Sequence, residues 1–187
     1  MVKPTSLSNQ FLIAMPTLAD PNFSRTVTFL CEHSDQGALG IVINRSLDMT
    51  LGEIFEQMEI DASQAAHADA PVYQGGPVQN DHGFVLHEPL GNWQSTLPVT
   101  ETVGLTTSQD ILQAIAEDRG PDDWLVALGY AGWGPGQLEQ EMSENAWLNG
   151  PADTSIVFRL PEAQRWQAAA QKLGVDLGTL SGDAGHA

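Results

Sequence analysis

The stretch Leu128-Gly-Tyr-Ala-Gly-Trp-Gly-Pro-Gly-Gln-Leu-Glu-Gln-Glu141 does most to decide the fold of this chain. An apolar run, Trp124 to Leu128, leads into four glycines within eight residues, and an acidic segment follows Pro135. Unbroken apolarity over 124–128 predicts a buried strand, and proline suits the first turn of a helix. The pattern therefore predicts a strand, a glycine-rich loop and a helix that runs to about Met142.

The loop from Gly129 to Gly136 is the first candidate binding site. Glycines reach left-handed backbone conformations, so several N–H groups can point at one spot, and a helix start adds a positive dipole end. One hypothesis is an anion or carbonyl pocket formed at Gly134 and Gly136 and walled by Tyr130 and Trp133. The alternative is a tight structural turn over which Trp133 packs. The spacing matches neither a phosphate-binding loop nor a dinucleotide-binding loop.

Two further segments offer backbone donors that could serve the same site. Gly75 and Gly76 end a short apolar strand, and Thr107 or Ser108 is expected to cap a helix whose apolar stripe includes Ile111. The leading hypothesis is therefore a binding or regulatory protein whose pocket collects these two segments and the glycine-rich loop.

Strands and helices alternate irregularly along the chain. Residues 25–44 predict a β-hairpin, and Thr50 with Glu53 forms a capping-box pattern at a helix start. Residues 154–160 predict the last strand, before a helix that begins at Pro161. This order favours an α+β fold over repeated βαβ units. We expect one compact domain over residues 1–187, with 1–9 and 181–187 loosely ordered.

The charge of the chain restricts its partners. Only 7 Lys and Arg face 24 Asp and Glu, which gives a formal net charge of −17, and the basic residues form no run. Nucleic acids and anionic membranes attract proteins through basic groups, so direct binding to either is disfavoured. A small ligand or a protein partner remains open, and the residues identify neither.

Cys31 is the single cysteine, so the chain cannot form an internal disulfide. This fact, with the lack of an apolar leader or a long apolar run, predicts a cytoplasmic protein. On a regular strand Cys31 and His33 share one face. An alternative function is therefore a redox-responsive thiol at Cys31 that His33 activates, against a simpler role for the cysteine as a buried core residue.

Motifs for catalysis or for a metal are not evident. His82 and His87 lie five residues apart on a predicted strand and therefore face opposite sides, so they do not suggest a shared metal. The carboxylates of 139–144 point in different directions on a helix. No cofactor motif is visible, so the sequence leaves any cofactor unknown, and an enzyme of unknown class is the weakest of the three hypotheses.

Seven short motifs occur in order along almost the whole chain. They are Phe11-Leu-Ile-Ala-Met-Pro16, Cys31-Glu-His33, Gly40-Ile-Val-Ile-Asn-Arg45, Gly75-Gly-Pro-Val78, Gly83-Phe-Val-Leu-His87, Leu105-Thr-Thr-Ser108 with Asp110-Ile-Leu112, and Leu128-Gly-Tyr-Ala-Gly-Trp133 with Pro135-Gly-Gln-Leu-Glu139. Together they resemble the AlgH/YqgE family. Two positions depart from the family's usual pattern: Ser46 stands where a proline is frequent, and His82 where an arginine is frequent.

The resemblance implies a compact α+β fold in which a barrel-like mixed sheet is flanked by helices. It also implies a cytoplasmic bacterial protein, and it supplies no established activity. Some members carry the label of transcriptional regulator of alginate synthesis. Since direct DNA binding fits poorly with the net charge of −17, a regulatory effect would run through a small ligand or another protein.

Overall fold

A curled sheet organises the molecule in the computed structural model, which describes residues 6–18, 20–21, 23–63 and 65–175. Its strands are β1 Gln10–Ala14, β2 Val27–Ser34, β3 Gly37–Val42, β4 Ser46–Thr50, β5 Pro71–Gln74, β6 Val78–Glu88, β7 Thr96–Pro98, β8 Gly104–Thr106, β9 Asp123–Trp133 and β10 Trp147–Pro151. The main path of the sheet runs β10-β1-β2-β3-β9-β6-β8-β7. The antiparallel pair β4 and β5 branches from it, because β5 lies parallel to β9.

Short helices cover both faces of this sheet. They are α1 Leu51–Gln57, α2 Gln109–Ala116, α3 Gln137–Ser143, α4 Thr154–Phe158 and α5 Arg165–Gln171, with a 3-10 turn at Glu162–Gln164 before α5. The predicted α+β class and the barrel-like sheet flanked by helices are confirmed. The capping box at the start of α1 is present, since Thr50 accepts from the Glu53 amide and the Glu53 carboxylate accepts from the Thr50 amide.

Three apolar clusters hold the helices on the sheet. The first lies on one face between the strands and helices α4 and α5, and includes Phe29 and Val157. The second packs α1 and α2 on the other face through residues such as Ile54 and Ile111. The third, around Trp133, holds α3 against β9, β1 and β10. Almost complete burial of these side chains is the main source of the fold's stability.

Strand β9 continues to Trp133 and so includes five of the eight residues 129–136 that the sequence predicted to be a loop. Its first half pairs with β5 and β6, and its second half pairs with β3, where Ala38 opposes Trp133 and Gly40 opposes Ala131. The expected end of the strand at Leu128 is therefore wrong. The segment stays extended because β3, distant in sequence, supplies the ladder partners for residues 131–133.

The expected strand over 154–160 is also wrong. Asp153 accepts a hydrogen bond from the Ser155 amide at 2.9 Å and caps helix α4, which buries Ile156 and Val157 on one side. The capping geometry and packing outweigh the β-propensity of these two residues. Strand β10, which pairs with β1 at one edge of the sheet, is a strand that the sequence did not predict.

The predicted loose ends are described only in part. Residues 1–5 and 181–187 lie outside the described residues. In the part of the first segment that is described, the Leu7 amide donates to His33 Nδ1 at 2.9 Å and the Asn9 amide donates to the Leu30 carbonyl at 2.8 Å.

Candidate functional site

Two of the three predicted segments of backbone donors, 75–76 and the start of 129–136, do meet, but their backbones pack directly against each other. A Cβ atom placed on Gly75 would lie 2.3 Å from the Gly129 carbonyl oxygen, and one on Gly76 would lie 2.1 Å from the Tyr130 carbonyl carbon. The Gly75 amide also donates to the Leu128 carbonyl at 2.8 Å. Glycine is therefore required here for close approach of two backbone segments, with no space left for a ligand.

Tyr130 and Trp133 do not wall a common pocket. Both residues belong to β9 and lie three positions apart, so the alternation of side chains along the strand puts them on opposite faces of the sheet. Tyr130 packs against Phe84 in the first cluster, with ring centroids 5.5 Å apart. Trp133 belongs to the third cluster on the other face, where its Nε1 donates to Glu141 at 3.0 Å.

Gly134 and Gly136 lie on the surface between β9 and α3. The Gly134 amide donates to the Gln137 side chain at 3.0 Å, and Gly136 adopts φ 76° at the start of the helix. Both residues are exposed. These contacts match the structural alternative, a turn held down by Trp133.

Cys31 and His33 fall on opposite faces of the sheet, contrary to the regular alternation that the sequence suggested. A bulge between Leu30 and Glu32 adds Cys31 as an extra residue in β2. Cys31 lies in the first cluster, whereas His33 opposes Ala38, which packs on the third.

The Cys31 thiol is 3% exposed. Burial, with a smaller contribution from the negative charge of Glu32, raises the pKa of this thiol above its usual range. His33 Nε2 lies 3.4 Å from Glu139 Oε2. A neutral thiol, separated from the imidazole by the sheet, is a poor nucleophile, so the geometry argues against thiol activation.

The best-formed candidate site is a pocket of about 360 Å³ between α1, β6 and the start of α2, here called the α1–β6–α2 pocket. Of the predicted site residues it contains Thr107 and Ser108, and the other six binding candidates lie elsewhere. Its apolar lining consists of Ile54, Met58, Val85, Leu112, Val126 and Leu128. Its polar lining consists of Gln57, Asp81, His82, Thr106, Thr107, Ser108 and Gln109.

A wide bulge in β6 shapes the mouth of this pocket. Val78 opposes Tyr130 and Gly83 opposes Leu128, so the residues between them loop out of the ladder. This brings exposed Asp81 and His82 to the pocket, and bulges often redirect side chains in this way. Regular alternation along β6 could not predict that Asp81 and His82 lie at this pocket. The one sequence signal is that His82 departs from the usual pattern of the family.

Gly83 leaves space that the pocket occupies. A Cβ atom at this position meets no atom within 4 Å, unlike the tightly packed glycines at 75 and 76. Gly83 therefore widens the pocket between β6 and α2, and a larger side chain here can grow into it without a backbone clash.

The start of α2 is already neutralised by its own residues. The Ser108 hydroxyl donates to Asp110, whose carboxylate also accepts from the amides of Ile111 at 3.0 Å and Gln94 at 2.9 Å. The Asp110 carboxylate thus occupies the positive end of the helix dipole. Anion binding at this helix end is disfavoured, and a ligand without charge fits the pocket better.

A buried histidine supports the wall of the pocket from behind. The Pro89 carbonyl can only accept, so His87 Nδ1 donates to it at 2.9 Å and Nε2 accepts from the Thr106 hydroxyl at 2.6 Å. The Thr96 hydroxyl lies 2.7 Å from that of Thr106 and completes the chain. Burial lowers the pKa of His87, so its ring is neutral in the fold.

Metal binding receives no support from the described residues. Among residues 6–175, apart from the omitted positions, no three His, Cys, Asp or Glu side chains come together. No helix in the same part of the chain is long and apolar enough to cross a membrane.

Comparison with known proteins identifies the family. The family model described as AlgH-like matches residues 11–178. A UPF0301 protein of Thioalkalivibrio sulfidiphilus is 62% identical over 100% of both chains, and one from Azoarcus sp. is 57% identical over 97% of both. The chain therefore belongs to the AlgH-like, UPF0301 family, as the seven motifs predicted.

Two solved structures share the fold. The solution structure of the AlgH protein from Pseudomonas aeruginosa is 53% identical with a TM-score of 0.81, and the match covers 100% of this chain and 99% of that one. A crystal structure of a protein from Corynebacterium diphtheriae is 20% identical with a TM-score of 0.75, covering 97% and 94% of the two chains. The second likeness concerns the fold alone.

Proposed function

We propose that this protein binds a small, uncharged and partly apolar molecule in the α1–β6–α2 pocket. The observation that carries the proposal is the composition of the pocket: about 360 Å³, with six apolar side chains and a polar mouth. Ligand sites in proteins have this size and combine an apolar lining with a few polar groups that orient the ligand.

The polar groups at the mouth favour hydrogen bonding over charge pairing. Among the described residues, the side chains of Gln57, Thr107 and Gln109 make no hydrogen bond to the protein, so they are free to contact a ligand. The Asp81 carboxylate at the rim and the net charge of −17 repel anions. A neutral ligand with amide, carbonyl or hydroxyl groups at one end suits this distribution.

A regulatory role is the second part of the proposal. Ligand binding can shift an equilibrium between conformations or partners only if it favours one of them, and the pocket joins three elements that could respond together. The same low content of basic residues that disfavours direct DNA binding supports an effect through the ligand or a protein partner. A cytoplasmic location belongs to this proposal.

Filling the pocket tests the proposal. The variant Gly83→Leu places four carbon atoms into the open space, and Gly134→Leu is the matched control on the surface outside the pocket. The uncharged fluorescent probe N-phenyl-1-naphthylamine is titrated into each protein. We expect it to bind the parent chain and Gly134→Leu alike, and to bind Gly83→Leu about tenfold more weakly or not at all, since a lost cavity removes its apolar contacts.

Amide chemical shifts give the location of the probe. Binding should shift the resonances of Thr107, Ser108 and Leu112 and leave those of Gly134 and Gly136 unchanged. Equal affinity for the parent chain and Gly83→Leu, or shifts confined to the glycine-rich segment, would refute the pocket assignment.

A further inference from the structure

Arg165 is a buried cation whose charge has no carboxylate partner among the described residues. Its side chain is 5% exposed at the start of α5. Nε donates to the Leu160 carbonyl at 3.0 Å, Nη1 donates to the Ile43 carbonyl, and the guanidinium lies 5.1 Å from the centre of the Tyr73 ring. Every ion pair of arginine or lysine in the described part of the chain involves another residue.

This arrangement leaves binding capacity unused. A guanidinium carries five N–H donors in a planar fork that matches a carboxylate, and two backbone carbonyls use only part of that set. Buried charges in proteins are ordinarily paired or bound to a ligand, because removal of a charge from water is costly. The two carbonyls and the ring hold the guanidinium in position, which is what a preorganised anion site requires.

Arg165 is one of the residues that line a cavity. This cavity has a volume of about 280 Å³, and none of the polar side chains that line the α1–β6–α2 pocket lines it. Its walls include Tyr73, Trp124, Val157 and Phe158, and exposed Asp122 stands among its lining residues. We call it the Arg165 cavity.

The acidic groups at this cavity select among anions. Asp122 and Asp123 both line it, and Arg159 pairs with Asp123 at 3.0 Å, so Asp122 is the carboxylate left to act on a ligand. Phosphates and other multiply charged anions are repelled by these carboxylates and by the net charge of −17. A ligand that carries both a carboxylate and a cationic group complements the positive charge of Arg165 and the negative charge of Asp122.

We propose that the Arg165 cavity binds a small amino-acid-type zwitterion, with its carboxylate on the Arg165 guanidinium and its ammonium group toward Asp122. An apolar side chain on the ligand would contact Trp124, Val157 and Phe158. Val126 is the one lining residue that this site shares with the α1–β6–α2 pocket, and the residues that would recognise each ligand differ, so either proposal can fail without the other.

The test is an amide chemical-shift titration with four probes. L-Phenylalanine carries both charged groups, L-phenylalaninamide lacks the carboxylate, 3-phenylpropionate lacks the ammonium group, and inorganic phosphate is a multiply charged anion. We expect L-phenylalanine to shift resonances at Tyr73, Val157 and Phe158 and to bind most tightly. Loss of the carboxylate should weaken binding about tenfold to hundredfold, the value of a hydrogen-bonded charge pair.

Variants assign the two charged contacts. Asp122→Asn is an exposed change that should leave the fold intact. We expect it to weaken the binding of L-phenylalanine about twofold to fivefold and to leave the binding of 3-phenylpropionate unchanged or slightly tighter. Asp35→Asn, in an exposed turn far along the sheet, is the matched control and should change neither. Arg165→Lys keeps the charge but loses the fork, so it should weaken both carboxylate probes.

Three results would overturn the proposal. The first is no shift at these residues with L-phenylalanine at millimolar concentration. The second is equal binding of L-phenylalaninamide and L-phenylalanine, which would remove Arg165 from recognition. The third is tighter binding of phosphate than of the zwitterion. Since Gly83→Leu leaves this cavity intact, retained L-phenylalanine binding in that variant separates this proposal from the first one.

Discussion

Glu141 holds the two buried indoles that fasten the glycine-rich segment to the fold. Its Oε1 atom accepts from Trp133 Nε1 at 3.0 Å and from Trp147 Nε1 at 2.9 Å, while Oε2 accepts from Gln137 at 3.0 Å. The two tryptophans are 6% and 4% exposed, with ring centroids 6.0 Å apart. The perturbation Glu141→Leu removes the acceptor that both indoles share and keeps a good helix-forming residue.

The magnitude follows from the two donors left without a partner. An unsatisfied buried donor costs about 1–3 kcal/mol, so two such donors give about 2–6 kcal/mol. Glu141 is only half-buried, and water can reach part of the site, so we expect a loss near 2–4 kcal/mol in the free energy of unfolding. That is a large share of the total free energy of unfolding, which is about 5–15 kcal/mol for native proteins.

Urea unfolding followed by far-ultraviolet circular dichroism measures this loss without relying on tryptophan emission. The control is Glu144→Leu at the end of the same helix, where the side chain is exposed and we expect a change within about 0.5 kcal/mol. A loss below about 1 kcal/mol for Glu141→Leu, or equal losses for both variants, would refute the role given to Glu141.

Three further predictions concern packing, pH and thiol reactivity. Gly75→Ala should lower the free energy of unfolding by about 1–3 kcal/mol, because its Cβ would lie 2.3 Å from the Gly129 carbonyl oxygen. Gly134→Ala should lower it by about 0.5 kcal/mol or less, and urea unfolding of both variants measures the difference. Burial lowers the pKa of His87 in the fold, so as the pH falls the unfolded chain takes up a proton before the folded chain does. The free energy of unfolding should therefore keep its full value above about pH 6.5 and decrease below that pH, and His87→Phe should reduce this dependence. Cys31 should react with iodoacetamide far more slowly than glutathione at pH 7, until urea unfolds the chain.

Local patterns predicted much of this fold. The β2–β3 hairpin and the capping box at Thr50 depend on residues close together in sequence, and both occur as expected. The strand 124–128 was also correct as far as it went. What could not be seen was its continuation, because residues 131–133 stay extended only through pairing with β3, about 90 positions earlier.

Two local features account for the predicted site residues that the structure separates. The bulge at Cys31 moves His33 to the other face, and because β9 continues to Trp133, regular alternation puts Tyr130 and Trp133, three positions apart, on opposite faces. Sequence periodicity assumes regular strands, so the bulge could not be predicted from it. Thr107 and Ser108 do lie at a cavity, and their position at a helix start is a local feature that the sequence could indicate, while their binding role stays a prediction.

Native mass spectrometry of the protein purified gently from its own cells tests the central claim most directly. The account predicts that the parent chain and Gly134→Leu each carry a stoichiometric amount of a small, uncharged ligand, and that Gly83→Leu lacks it. A bare chain in all three proteins, or an adduct that Gly83→Leu retains, would contradict the assignment of the α1–β6–α2 pocket as the binding site.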